Sequence, residues 1–308
     1  MDIEEYLEER MQSGEDIEVE DSKQYFNITS MGDCMADGYN EMQEAYNNRD
    51  GRHEYSKFPC ESDYTLKSGL SKFDREYGAW HAGELVVATA VSWEHLSIFG
   101  MNVVAHNIYP ETEESENYNG LVFSLRKPIT LSGLAFFAFQ SGVSLQELRK
   151  GDFEADQWRC FASVSAGLLE ISDMMLIDGI QGIKSLKAAC YLLRKKNNLK
   201  VVVVDGLDML NMHGSQVDIC HENMCAYIDK SYTNALKELK ELAVELDVLM
   251  IVSMLDETAP SIISGPPCHW SVPDTVLEVA EEKGKLSVYV RRHHGYDDCF
   301  YCDLIKVL

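Results

Sequence analysis

Four short apolar runs mark the chain beyond residue 64: Glu84–Val91 (ELVVATAV), Leu121–Leu125 (LVFSL), Val201–Asp205 (VVVVD) and Leu249–Ser253 (LMIVS). None alternates apolar with polar residues, as a strand with one wet face would. Each is therefore predicted to be a strand covered on both faces of a parallel sheet. The stretches between them carry helical spacing. Ser185–Asn197 opens with a serine suited to a cap and ends in Arg194, Lys195 and Lys196, where the helix dipole favours cations. Ala235–Leu246 sets Leu236, Leu239, Ala243 and Leu246 on one face. Strand alternating with helix predicts an α/β domain with a mostly parallel central sheet flanked by helices. The closing segments 286–292 and 299–307 read as an antiparallel β-hairpin about the turn His294–Asp297.

Ahead of residue 64 the pattern thins. Residues 33–48 predict one helix whose apolar positions, Met35, Tyr39, Met42 and Tyr46, fall at i, i+4, i+7 and i+11. Asp33 is placed to cap it and Gly51 to end it. The following RDGRHEYSKFPCESDY reads as a linker. A lone helix with a narrow Met/Tyr stripe needs a second surface, which makes it the candidate protein-interaction element. Residues 1–30, with ten acids against two bases, read as a solvated acidic arm. The expected division is an arm at 1–30, linker helix and linker at 31–63, and the α/β domain at 64–308.

Charge narrows the function. The 308 residues carry 51 acids and 27 bases, a formal net charge of −24, and 45% are hydrophobic. That is enough apolar material for a core, and too negative for generic binding to nucleic acid or anionic membrane. The segment 211–229 has no Lys or Arg and carries Asp218, Glu222 and Asp229. The bases gather instead around 194–200 and 283–292, where they could form one patch. No apolar run reaches membrane-spanning length and the start is acidic, so a cytoplasmic protein without membrane contact is expected. Nine cysteines without a secretion signal imply reduced thiols. Cys299 and Cys302, after His293 and His294, have zinc-like spacing. Within a strand, residues three apart face opposite sides, so no metal is expected there. Cys220, His221 and Cys225 lack a further ligand implied by spacing.

Taken together, the segments resemble a known family. Ser68–Asp74 (SGLSKFD) with Gly83–Val87 (GELVV), then Leu121–Leu125, then Ser141–Gly151 (SGVSLQELRKG) with Trp158, then Val201–Leu210 (VVVVDGLDML) and Leu236–Val252 follow in order the C-terminal ATPase domain of DnaB-type replicative helicases. Gly32–Arg49 resembles that family's linker helix, which docks on the adjacent subunit of a ring. The resemblance implies a RecA-like, P-loop-type core, with Asp205 as the Asp that supports the metal at the end of the second strand.

The departures shape the functional expectation. In the phosphate-loop register, the family's Gly-Lys-Thr falls on Glu94-His95-Leu96, within Ala90–Leu96 (AVSWEHL, including Ser92 and Trp93), with the loop length kept. Glu94 adds a like charge where an anion should sit, and His95 is a mostly neutral substitute for lysine. Arg126 stands at the catalytic Glu position, Met254 at that of a sensor Gln, and His293 at that of the arginine finger, with Arg291 at the accompanying Lys. A slip of one residue would restore an arginine at the finger.

These losses together imply a pseudo-ATPase: a vestigial nucleotide site at Ser92, Trp93, Glu94, His95, Leu96, Arg126, Asp205, Met254 and His293, with no cofactor. The protein would act as scaffold or regulator of a DNA-replication helicase or related assembly. Its partner would be itself or a DnaB-type helicase, with weak or no nucleic-acid binding. Two alternatives stand beside this. One is an atypical active ATPase or helicase that uses His95 and Arg126. The other is a module holding a small ligand near Trp93, His95 and Asp205 in the old nucleotide crevice.

Overall fold

The valines before Asp205 divide between two layers of core: Val201 and Val203 face one side of the sheet, Val202 and Val204 the other. The strand Leu85–Ala90, two places away in the sheet, repeats this, with Val86, Ala88 and Ala90 on the first side and Leu85 and Val87 on the second. An unalternated apolar run is thus a strand with helices on both faces.

The structure, a computed structural model, describes residues 27–32, 66–77, 80–108, 119–151, 154–169, 174–196, 198–210, 224–255, 272–282, 285–293 and 296–304. Its strands are β1 (Asn27–Ser30), β2 (Leu85–Ala90), β3 (Asn119–Ser124), β4 (Met174–Asp178), β5 (Leu199–Asp205), β6 (Leu249–Leu255), β7 (Thr275–Glu282), β8 (Lys285–His293) and β9 (Tyr296–Asp303). Its helices are α1 (Ser71–Tyr77), α2 (Trp93–Ile108), α3 (Ile129–Ser141), α4 (Leu145–Lys150), α5 (Ala155–Leu169), α6 (Ile183–Lys196) and α7 (Met224–Leu246).

The described strands form one sheet in the order β1-β4-β3-β5-β6-β2-β7-β8-β9. Pairing is parallel from β4 to β7 and antiparallel where β1, β8 and β9 join. Residues of α2, α3 and α5 build the core on one face, those of α6 and α7 the core on the other. Helix α2 is pressed directly on the sheet. A Cβ on Gly100 would lie 2.7 Å from Val203 Cγ1, and one on Gly120 of β3 would lie 2.1 Å from Val104 Cγ1. Helix α4 is fixed at both ends. Ser144 and Glu147 form a reciprocal capping box, and Gly151 closes it in the left-handed region at φ 64°.

The predicted α/β class, central parallel sheet and terminal hairpin stand. Several local readings change. Residues 27–30 are not free arm: β1 pairs antiparallel with β4, and Met31 is fully buried in the core. Ser185 is not a cap, because α6 begins two residues earlier at Ile183. Helix α7 starts at Met224, so 224–229 are helical. The hairpin turn is tighter than predicted, since β9 already begins at Tyr296. Cys302, in β9, is buried with its thiol 3.7 Å from the Val288 carbonyl. The interaction stripe Met35, Tyr39, Met42 and Tyr46 lies outside the described residues, as do 1–26 and 211–223. No helix among the described residues is long and apolar enough to cross a membrane.

Candidate functional site

Strand β2 ends at Ala90 and α2 begins at Trp93, leaving Val91 and Ser92 as the whole connection. Trp93, Glu94, His95 and Leu96, the residues in the phosphate-loop register, lie in the first turn of that helix. Ser92 makes this possible. Its hydroxyl accepts the Glu94 backbone N–H at 3.2 Å, satisfying one of the amide donors that a helix start leaves open.

One turn into α2, the Ser97 hydroxyl donates to the carboxylate of Asp205 at the end of β5. The other carboxylate oxygen accepts from Ser253 Oγ at 2.7 Å, and Ser253 Oγ in turn accepts the Gly206 N–H at 3.1 Å. Asp205 is buried. Burial pushes its carboxyl above the ordinary range, opposed by the hydrogen bonds from Ser97 and Ser253 and by nearby Arg126.

Arg126 follows the end of β3 and points across to the turn after β5. Its guanidinium holds both carboxylate oxygens of Asp208. The two side chains are 12% and 2% exposed, so this is a pair withdrawn from water. Gly206, at φ 105°, lets the backbone pass beneath it; a Cβ there would lie 3.3 Å from Arg126 Cβ. Tyr232 on α7 feels the same cluster. Its phenol is pushed up to about 12, by burial first and by Asp208 second.

The remaining sequence-predicted residues scatter. Trp93 turns toward Lys127, whose ammonium lies 5.4 Å from the ring centre. His95 turns the other way, its Nε2 3.5 Å from a Glu281 oxygen on β7. Leu96 is core. Met254 is buried inside β6 in the core on the α7 side, while its neighbour Ser253 reaches Asp205. His293 ends β8 opposite Thr275 of β7. That is four strand positions from Asp205, roughly 19 Å at sheet spacing. The structure thus brings together Ser97, Asp205, Ser253, Arg126 and Asp208; three of these, Ser97, Ser253 and Asp208, were not singled out from sequence. The available signal was a polar residue closing an apolar strand, as Ser253 closes LMIVS level with Asp205 across β5 and β6.

The loop itself offers few groups to a triphosphate. A phosphate cradle needs several free amides in an open loop, and here the connection is two residues long and the Glu94 amide just after it is taken by Ser92. Ser97 and Asp205, bonded to each other, are the hydroxyl and carboxylate that would hold magnesium beside substrate phosphates.

Comparison with known proteins gives a consistent family. Residues 65–257 match the family model described as DnaB-like helicase C terminal domain. The replicative DNA helicase DnaB of Geobacillus stearothermophilus is 23% identical over 239 residues, covering 76% of this chain and 46% of that protein. The chain therefore spans about half the length of the curated relative it matches. Among solved structures, one ATPase domain superposes with a TM-score of 0.58 at 14% identity, covering 87% of this chain and 94% of that one. A DnaB-like replicative helicase, described with its interactions with primase, gives 0.57 at 14% identity, covering 87% and 64%. At these identities the superpositions speak to fold alone.

Proposed function

This chain belongs to the DnaB-like helicase C-terminal domain family, and from that premise we propose that it is a non-hydrolysing member, acting through protein contacts as scaffold or regulator of a replicative helicase assembly. The observation that carries this is the first turn of α2: Trp93–Leu96 form helix where the family's phosphate loop would run. Arg126 adds to it. Tied to Asp208 at the position of the catalytic Glu, it offers no general base.

One retained feature supports the active alternative. The Ser97–Asp205 contact matches the Ser/Thr and Asp pair that holds magnesium in P-loop enzymes. On this reading the hydroxyl position is Ser97, one residue beyond the register drawn from sequence, and the lysine position is the buried Leu96. A buried Leu supplies no cation for phosphate, so the pair alone favours a remnant. The small-ligand alternative loses support, because Trp93, His95 and Asp205 face three different surroundings.

Calorimetric titration of the whole chain with ATP and magnesium is the test, and no heat of binding is expected at protein concentrations of roughly 50 µM. Saturable ATP turnover abolished by Asp205→Ala would sink the proposal. The interaction helix at 33–48 is the proposed contact element. Sedimentation of the intact chain beside a Tyr39→Asp, Tyr46→Asp variant addresses it, and a change in association is the expected result.

A further inference from the structure

Beside the first turn of α2, a groove of about 540 Å³ opens between that helix, the end of α3 and the β7–β8 hairpin. Its floor includes Ile98, Phe139 and Leu145, apolar side chains only partly buried against the core. Its rim carries the carboxylates of Glu94, Glu281 and Asp303. Lys285 is the one Lys or Arg among the described lining residues, and His95 lies against Glu281. An apolar floor under an acidic rim is complementary to a segment that is apolar on one face and basic on its flanks.

We infer that this groove binds a basic amphipathic segment of a partner protein; the inference rests on the protein-binding reading above and names the chemistry of the partner. Charge argues against this chain supplying the occupant from its first 48 residues. Residues 1–30 hold ten acids and two bases. The stretch 33–48 holds Asp33, Asp37, Glu41 and Glu44 with no Lys or Arg. Either would set carboxylates against carboxylates at short range, whether donated by this chain or by a second copy.

The probe is a fluorescein-labelled model helix of Leu and Lys, with a Leu and Glu helix of the same length and pattern as its counterpart, titrated against the full chain by anisotropy. The Leu/Lys helix binds with a Kd on the order of 10 µM and the Leu/Glu helix does not. Glu94→Lys with Glu281→Lys weakens binding roughly tenfold. Leu145→Asp weakens it by a similar factor, because the floor supplies anchoring contacts. Glu241→Lys, exposed on α7 away from the groove, leaves it unchanged. Thermal melts of each variant confirm that it folds. Absence of binding at about 100 µM overturns the inference. So does a response to the charge variants without one to Leu145→Asp, which would mark plain attraction to an acidic protein. ATP turnover alongside groove binding would end the non-hydrolysing reading alone; lack of both turnover and peptide binding would end the groove alone.

Discussion

Arg126 and Asp208 leave water together, and that makes each dependent on the other. Removing the guanidinium strands a carboxylate that is 2% exposed. We expect Arg126→Ala to cost about 3–5 kcal/mol of folding stability. Replacing both partners with leucine removes the stranded charge and recovers most of that loss, since two apolar groups need no counter-ion. Urea unfolding of wild type, single and double variants measures both. A single variant as stable as wild type would mean that Asp208 finds water or another donor. At this scale the pair does mechanical work. It joins the end of β3 to the turn after β5 from within the chain.

Helix α2 illustrates what governs an element. Its sequence is apolar around most of its circumference, because the sheet lies beneath it and α3 beside it. Close approach to the sheet is set by glycines on facing surfaces, Gly100 on the helix and Gly120 on β3. Gly120→Ala drives a Cβ to within 2.1 Å of Val104 Cγ1, and neither strand nor helix backbone is free to retreat. A loss of about 1–3 kcal/mol is expected, read as a lower urea midpoint with unchanged m-value. Val104→Ala in the same chain should recover part of it by vacating that space. The start of α2 was not legible from the residues. The register read from the family assumed an open loop, yet Ser92 is a good cap and Trp93 onward continues a helix without a break. Local capping chemistry decided the boundary.

Across the whole molecule, charge is the dominant property. With a net charge of −24, single-stranded DNA should bind weakly or not at all at physiological salt. The structure separates the two basic clusters that could have joined into a track. Lys200 pairs with Asp247 and Arg194 donates to the Leu246 carbonyl at one strand position, while Arg291 pairs with Glu278 near the end of β8. β8 is four strand positions from β5, roughly 19 Å. Fluorescence anisotropy with a labelled oligonucleotide checks this. Submicromolar affinity with a steep salt slope would contradict it.

Layer order was legible because a parallel strand buried on both faces must be apolar without alternation, and β2, β3, β5 and β6 are. The final hairpin was legible from its turn, and Asp205 from its place closing a strand. None of β1, β4 and β7 announced itself. β1 is four residues long, and its role comes from the free edge of β4, which no local pattern of NITS encodes. The site followed the same division. Sequence named Asp205 and Arg126, the residues at strand ends, but the partners that give them meaning come from distant segments. Ser97 lies 108 residues from Asp205, Ser253 lies 48 away, and Asp208 is 82 from Arg126. A hydroxyl or carboxylate has no preferred partner until the sheet brings strand ends to one edge. Residue type set which strands could be buried; only the assembled sheet decided which polar groups would meet there.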